Sequence, residues 1–218
     1  MKLGLITDIH EHVEHLEVAL ARLKQEKVDQ IVMIGDVIEM GQRLEETCRL
    51  LLEANVVGVW GNHDYGLCVD PPIEMQRKFS PAVFEFMRRL RPSLEIEGCY
   101  FSHVEPWLNP ESLFDLWYYD GPPDEHGKLW RIFNAVPQRL MFAGHFHKWV
   151  LASPEEIIDW HGERPVKLDQ GRYFVVVEAL CDGCFATFDT KTSELVPMSS
   201  VATASTPSGA SSNPSTLS

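Results

Sequence analysis

Short apolar runs recur along the first two thirds of the chain, and each gives way at once to histidine, aspartate or asparagine. Leu3 to Ile6 leads to Asp8 and His10, and Ile31 to Ile34 leads through Gly35 to Asp36. Val56 to Trp60 leads to Gly61-Asn62-His63-Asp64. Cys99 to Phe101 leads to His103, and Leu140 to Ala143 leads to Gly144-His145-Phe146-His147. Such runs read as strands buried on both faces. Segments with helical spacing lie between them. Val13, Leu16, Leu20 and Leu23 form one, and Leu44, Cys48, Leu51 and Leu52 another. Pro81 suits the first turn of a third, whose apolar face is Val83, Phe84, Met87 and Leu90. Alternation of this kind specifies an α/β architecture, in which ligands collect outside the carboxyl ends of the strands.

The pattern then changes. Leu94 to Ile96 and Cys99 to Phe101 flank Gly98 as a hairpin-like pair. From Trp149 onward the chain reads mostly as strand. Tyr173 to Val177 and Phe185 to Phe188 flank the turn dipeptide Asp182-Gly183, which predicts a hairpin, and Glu194 to Met198 predicts a second after Thr190. The whole is expected to be an α/β sandwich of two β-sheets flanked by helices, spanning residues 1–198. Residues 199–218 are rich in Ser, Thr, Ala and Pro and carry no charged side chain, so they are expected to form a flexible tail.

A formal net charge of −13 repels polyanions, so a nucleic-acid polymer is not the expected partner. An anionic substrate must therefore be attracted locally, and bound cations would do this. The five cysteines are scattered and odd in number, unlike a disulfide framework. The N-terminus is too briefly apolar for a signal peptide, and no run approaches membrane-spanning length. A reducing cytoplasm is the expected compartment, without membrane attachment.

Imidazole and carboxylate together suit manganese, iron or zinc, and the absence of cysteine from the set argues against a thiolate zinc site. Each motif alone is weak. A single Asp-x-His recurs by chance, and a single Gly-Asp often just ends a strand. The ordered combination is specific. Asp8-Ile9-His10, Gly35-Asp36, Gly61-Asn62-His63-Asp64, His103 and Gly144-His145-Phe146-His147 together resemble the calcineurin-like metallophosphoesterase superfamily, and most closely its small single-domain bacterial and archaeal phosphodiesterase branch.

That resemblance implies two divalent metal ions, manganese in the first place, with iron, zinc or nickel as alternatives. Asp8, His10 and His147 would hold one ion. Asn62, His103 and His145 would hold the other, and Asp36 would bridge them. It implies hydrolysis of a small phosphodiester, or of a phosphomonoester, by a hydroxide shared between the ions. His63 would act as general acid and Asp64 would orient it. A protein Ser/Thr phosphatase, a dinucleoside polyphosphate hydrolase and a non-catalytic scaffold on the same fold are the alternatives. The first two usually carry Asp-Arg-Gly where this chain has Glu39-Met40-Gly41, and glutamate where it has Asp64. Two further departures are Glu11-His12, where the family often has Gly-Asn, and Val104, where glycine is usual.

Residues 104–139 hold Trp107, Trp117, Tyr118, Tyr119 and Trp130. They are expected to pack a small core of their own, with an aromatic lid as the competing reading. Arg131 and Arg139 could reach a phosphate or serve as surface cations. Cys181-x-x-Cys184 is expected to be incidental, and His12, His15, His126 and His161 to be solvated.

Overall fold

A computed structural model describes residues 1–123 and 127–201. Among the described residues, eleven strands form two mixed sheets. The first sheet contains β1 (Lys2–Ile6), β2 (Gln30–Ile34), β3 (Val57–Val59), β8 (Val166–Lys167), β10 (Cys184–Asp189) and β11 (Glu194–Ser199). Its order is β3-β2-β1-β10-β11-β8, with the first three parallel and the last three joined antiparallel. The second contains β4 (Ser93–Ile96), β5 (Cys99–Ser102), β6 (Leu140–Ala143), β7 (Val150–Ala152) and β9 (Tyr173–Val176), in the order β4-β5-β6-β9-β7. Here β5, β6 and β9 are parallel.

The two-sided burial inferred from the apolar runs sorts by strict alternation. Leu3, Leu5, Val32 and Ile34 meet Phe101, Phe142 and Val175 in a core between the sheets. Phe142 stacks on Phe101 there with ring centroids 5.2 Å apart. Ile6, Ile31 and Met33 face the other way, onto α1 (Val13–Gln25), α2 (Leu44–Glu53) and α5 (Pro81–Met87). Met141, Ala143, Phe174 and Val176 form a third core with Ile132 and Phe133 of α7 (Leu129–Ala135). Three short helices complete the fold: α3 (Tyr65–Cys68), α4 (Ile73–Lys78) and α6 (Leu113–Leu116). Among the described residues, no helix is long and apolar enough to cross a membrane.

Two expected hairpins form. β4 and β5 pair across Glu97-Gly98, both at positive φ (52° and 75°), as a tight turn between twisted strands requires. β10 and β11 pair antiparallel in full register. The hairpin expected across Asp182-Gly183 does not form, because β9 and β10 lie in different sheets. The chain between them crosses over the sheet edge through a 3₁₀ turn at Leu180–Asp182. It is pinned by N–H bonds from Leu180 to the Thr7 carbonyl (2.8 Å) and from Cys181 to the Asp8 carbonyl (3.0 Å). Gly183 takes the left-handed conformation (φ 86°) that ends this turn. β11 runs through Ser199, and Ser200 donates to the Gly183 carbonyl, so the fold continues past residue 198. Residues 202–218 of the predicted tail, and His126, lie outside the described residues.

The loop from Asp36 to Arg43 shapes one wall of the strand-end region, and two buried carboxylates hold it. Asp64, fully buried, accepts backbone N–H bonds from Asp36, Val37, Ile38 and Gly61 at 2.8–3.2 Å. Glu11 accepts from Glu39, Gly41, Gln42 and Arg43. A carboxylate offers about four acceptor sites, so both are filled by backbone. Asp64 is thereby corrected from an orienter of the His63 ring to an anchor of the Asp36 loop. Burial and the Asp36 charge push its carboxyl up to about 6, against the pull of the amide donors.

Glu11 sits at φ 61°, a left-handed conformation that a glycine would adopt freely. Relieving that strain is worth about 1–2 kcal/mol, whereas each hydrogen bond to a charged group contributes about 1.5–3 kcal/mol and Glu11 accepts four. Glu11→Gly should therefore destabilise the chain, by about 2 kcal/mol or more in chemical denaturation. An unchanged or raised midpoint would show that the clamp contributes nothing.

Candidate metal centre

β1, β2 and β3 of the first sheet and β5 and β6 of the second deliver their carboxyl ends to one shared edge. Asp8 and His10 follow β1, Asp36 follows β2, Asn62 and His63 follow β3, His103 follows β5, and His145 and His147 follow β6. The two sheets are stitched together at this edge. The His103 ring donates through Nδ1 to the Ile34 carbonyl (2.8 Å), and the His145 N–H donates to Asp8 Oδ2 (2.9 Å). Because His103 Nδ1 donates in that bond, Nε2 is the nitrogen that faces the cluster.

Each carboxylate divides its oxygens between two duties. Asp8 Oδ2 accepts from the Thr7 hydroxyl (2.6 Å) and from His145 N–H, while buried Asp8 Oδ1 has no hydrogen-bond partner. That oxygen lies 3.9 Å from His10 Nε2 and 3.4 Å from His147 Nε2. Asp36 Oδ1 accepts from the His63 N–H (3.0 Å). Asp36 Oδ2 lies 3.8 Å from His10 Nε2 and 3.3 Å from His103 Nε2. Asn62 Oδ1 stands 2.9 Å from His103 Nε2 and 3.1 Å from His145 Nδ1. Asp8, His10 and His147 form one group whose donor atoms could hold an ion, and Asp36, His103 and His145 form a second.

The backbone is built for this crowding. Asp8, His10, Asp36, His145 and His147 all take positive φ, between 44° and 72°. Strain gathered at one place points to function there. Glycine gives close approach: a Cβ on Gly61 would lie 2.1 Å from Asp36 Oδ1, and one on Gly144 would lie 2.0 Å from Thr7 Oγ1. Of Gly35, Gly61 and Gly144 only Gly35 has positive φ, so the other two serve close approach and not a left-handed turn.

Electrostatics divides the histidines. Burial would lower His103, but the Asp36 charge and hydrogen bond outweigh it and raise its pKa to about 9. The Asp8 carboxylate at 3.4 Å, together with Cys181, raises His147 to about 10. Burial, together with the His103 charge, lowers His145 to about 4. Burial lowers His10 as well. Asp36 is held well below the usual carboxylate range: burial alone would raise it, and His103 and His63 together overcome that.

Four residues at this edge were not expected to serve it. Thr7 orients Asp8, and Glu11 holds the neighbouring loop. Asp182 Oδ2 and Cys181 Sγ lie 3.6 and 3.7 Å from His147 Nδ1. Only Glu11 carried a signal, as a charged residue where a glycine is common. Cys181 is thus near the centre, while Cys184 opens β10. The remaining candidates have other partners. Arg131 pairs with Asp120 (3.0 Å) and lies over the Trp107 ring (4.2 Å), and Arg139 donates to the Leu168 and Gly171 carbonyls. His12 stacks on His15, His15 bonds Ser200 (2.7 Å), and exposed His161 lies 3.4 Å from Asp159. Residues 104–139 bury Leu108 and Leu116 in the core beneath α1, α2 and α5, and Ile132 and Phe133 in the third core, so the segment joins the main cores and does not pack one of its own. It also brings the Trp117 ring to 5.1 Å from that of His63.

Solved structures share this fold. The chain superposes on a metallophosphoesterase from Sphaerobacter thermophilus with a TM-score of 0.73 at 19% identity, covering 91% of this chain and 87% of that one. A structure described as a putative diadenosine tetraphosphatase gives 0.57 at 16% identity, with 91% and 93% covered. One described as a novel archaeal phosphodiesterase gives 0.53 at 15% identity, with 91% and 99% covered. At these identities the likeness establishes the fold. The family model of the calcineurin-like phosphoesterase superfamily domain matches residues 1–160, the segment that contains every strand end of the cluster, and the chain belongs to that superfamily.

Proposed function

We propose that the chain is a phosphodiesterase dependent on two divalent metal ions. Membership of the superfamily implies a dimetal centre and hydrolysis of phosphoric esters. The observation that carries the assignment is the pair of carboxylate oxygens, Asp8 Oδ1 and Asp36 Oδ2, each ringed by imidazole nitrogens and turned away from backbone donors. The donor set fits manganese, with iron, zinc or nickel as alternatives. Asp8, His10 and His147 would hold one ion, Asn62, His103 and His145 the other, and Asp36 would serve both.

When bound, the ions activate a water as nucleophile and neutralise the phosphoryl oxygens. The chain's own residues do the rest. Thr7 and the His145 N–H fix Asp8, and the clamped loop fixes Asp36. His63 gives a proton to the departing oxygen, its backbone N–H tied to Asp36 and its partly exposed ring set edge-on to His10 at 4.9 Å. A diester carries one fewer negative charge than a monoester, so it asks less of arginines beyond the ions. Arg43 is spent on Glu14 and Glu46, and Arg131 on Asp120. The loop at Glu39-Met40-Gly41 lacks the arginine of the protein phosphatases and dinucleoside polyphosphate hydrolases, and Glu11 holds it in place.

Three outcomes are expected. Metal-stripped protein given Mn²⁺ should hydrolyse bis-p-nitrophenyl phosphate faster than p-nitrophenyl phosphate, and Asp36→Asn should abolish turnover. Stoichiometric metal binding with neither ester cleaved would refute the assignment. His63→Ala should lower kcat by about 10²–10⁴-fold on a diester with an alkyl leaving group. The loss should be much smaller for p-nitrophenolate, which leaves without a proton, and equal losses on both would remove the acid role. Finally, His103 and His147 are cationic at neutral pH in the metal-free chain, with pKa values raised to about 9 and about 10. Ions must displace those protons. Metal loading at pH 7 should release protons into an indicator dye, and affinity should weaken as pH falls from 8 to 6. Affinity that does not change with pH would contradict these protonation states.

A further inference from the structure

The rim of the centre carries aromatic rings that the packing of the chain does not use. Trp117 is 56% exposed and Tyr119 65% exposed. Each touches a residue of the metal-centre motifs. Trp117 lies 5.1 Å from the His63 ring, tilted by 46°. Tyr119 lies 6.4 Å from Phe146, which stands between His145 and His147.

The loop presenting them is firmly anchored. Leu116, beside Trp117, is fully buried. The Ser112 hydroxyl caps α6 by accepting the Asp115 N–H (3.2 Å), and Asp115 in turn accepts the Asn109 N–H (2.9 Å). The Tyr65 hydroxyl, just after His63 and Asp64, donates to the Glu111 carbonyl (2.9 Å), tying this loop to the strand end that supplies His63. An indole held rigid and half in water leaves apolar surface exposed that folding does not repay. A flat ligand group lying on it would cover that surface, with little ordering cost to the protein.

We propose that Trp117, flanked by Tyr119, is a stacking shelf for a planar aromatic group attached to the substrate phosphate, so that the centre prefers aryl or nucleoside phosphoesters to purely aliphatic ones. The inference rests on the phosphodiesterase reading of the same centre. The shelf stands on the His63 side, where the leaving group departs. It also supplies what an acidic surface cannot. With a net charge of −13, the surface offers an anionic substrate little attraction beyond the ions, whereas stacking is indifferent to charge.

The test is calorimetric binding of AMP, ribose 5-phosphate and phenyl phosphate to the Mn²⁺-loaded protein, alongside turnover of bis-p-nitrophenyl phosphate. AMP and ribose 5-phosphate carry the same phosphate, so their affinity ratio isolates the base. Base–aromatic stacking predicts about ten-fold tighter binding of AMP. In Trp117→Ala the ratio should fall to about one or two, and in Trp117→Phe most of it should return. Tyr119→Ala should reduce it less. Phenyl phosphate binding as tightly as AMP would support a shelf for any aryl group, and weaker binding would support a nucleobase. Ribose 5-phosphate binding and diester turnover with an AMP ratio near one in the wild type, or a ratio unchanged in Trp117→Ala, would overturn the shelf alone. Failure of both phosphates to bind, with no turnover, would overturn the phosphodiesterase reading and the shelf together.

Discussion

Two buried carboxylates that bind backbone make the rest of this site possible. Asp64 takes the amides that open the loop after β2, and Glu11 takes those that close it. Neither needs to touch a metal or a substrate for its loss to matter. The Asp36 carboxylate can face His10 and His103 only because the backbone carrying it is held at φ 59°. That conformation persists because the Asp36 N–H and its two successors have a fixed acceptor. The two anchors also come from different strand ends: Glu11 follows β1, and Asp64 follows β3. Each therefore locks a neighbour's loop, and the three parallel strands position one another's chemistry.

The same economy governs the charges. Within the cluster the histidines hold each other apart in protonation: His103 and His147 are raised by their carboxylate partners, while His145 is lowered by burial and by the His103 charge. Protons thus occupy, in the metal-free chain, the places that cations would take. Exchange of those protons for divalent ions makes the local charge positive, since two such ions more than neutralise Asp8 and Asp36. An acidic chain then has one attractive place for an anionic ester, and the surrounding charge rejects anions elsewhere.

Much of this was legible in the sequence because the strands are buried on both faces. Continuous apolar runs such as Ile31–Ile34 and Leu140–Ala143 mark such strands without ambiguity, and the residue after each run must emerge at the sheet edge. The donors therefore fell into place by position in the chain, without knowledge of which sheet they came from. The partition between sheets was less legible. Asp182-Gly183 looks the same whether it turns a hairpin or ends a 3₁₀ turn, because both need a left-handed glycine, and only the pairing of β9 with β6 and of β10 with β1 decides. The role of Asp64 was hidden for a related reason. A carboxylate next to a histidine suggests a side-chain partner, but the tight turn into α3 aims Asp64 at the amides of a loop 26–28 residues away. The short helices between Tyr65 and Lys78 left too little periodicity to be seen.

The aromatic segment shows where composition alone misleads. Trp107, Trp117, Tyr118 and Tyr119 read as one cluster, and packing was the natural expectation for all of them. The structure separates them by neighbour. Trp107 meets Tyr118 edge-on at 5.7 Å and lies beneath Arg131, whose other partner, Asp120, also holds Lys128. This group is a scaffold. Trp117 and Tyr119, on either side of Tyr118 in the chain, have the rings of His63 and Phe146 as neighbours instead. A packing role and a rim role are thus interleaved in consecutive residues. The rigidity of the first set is what gives the second a defined place beside the residue proposed to protonate the leaving group.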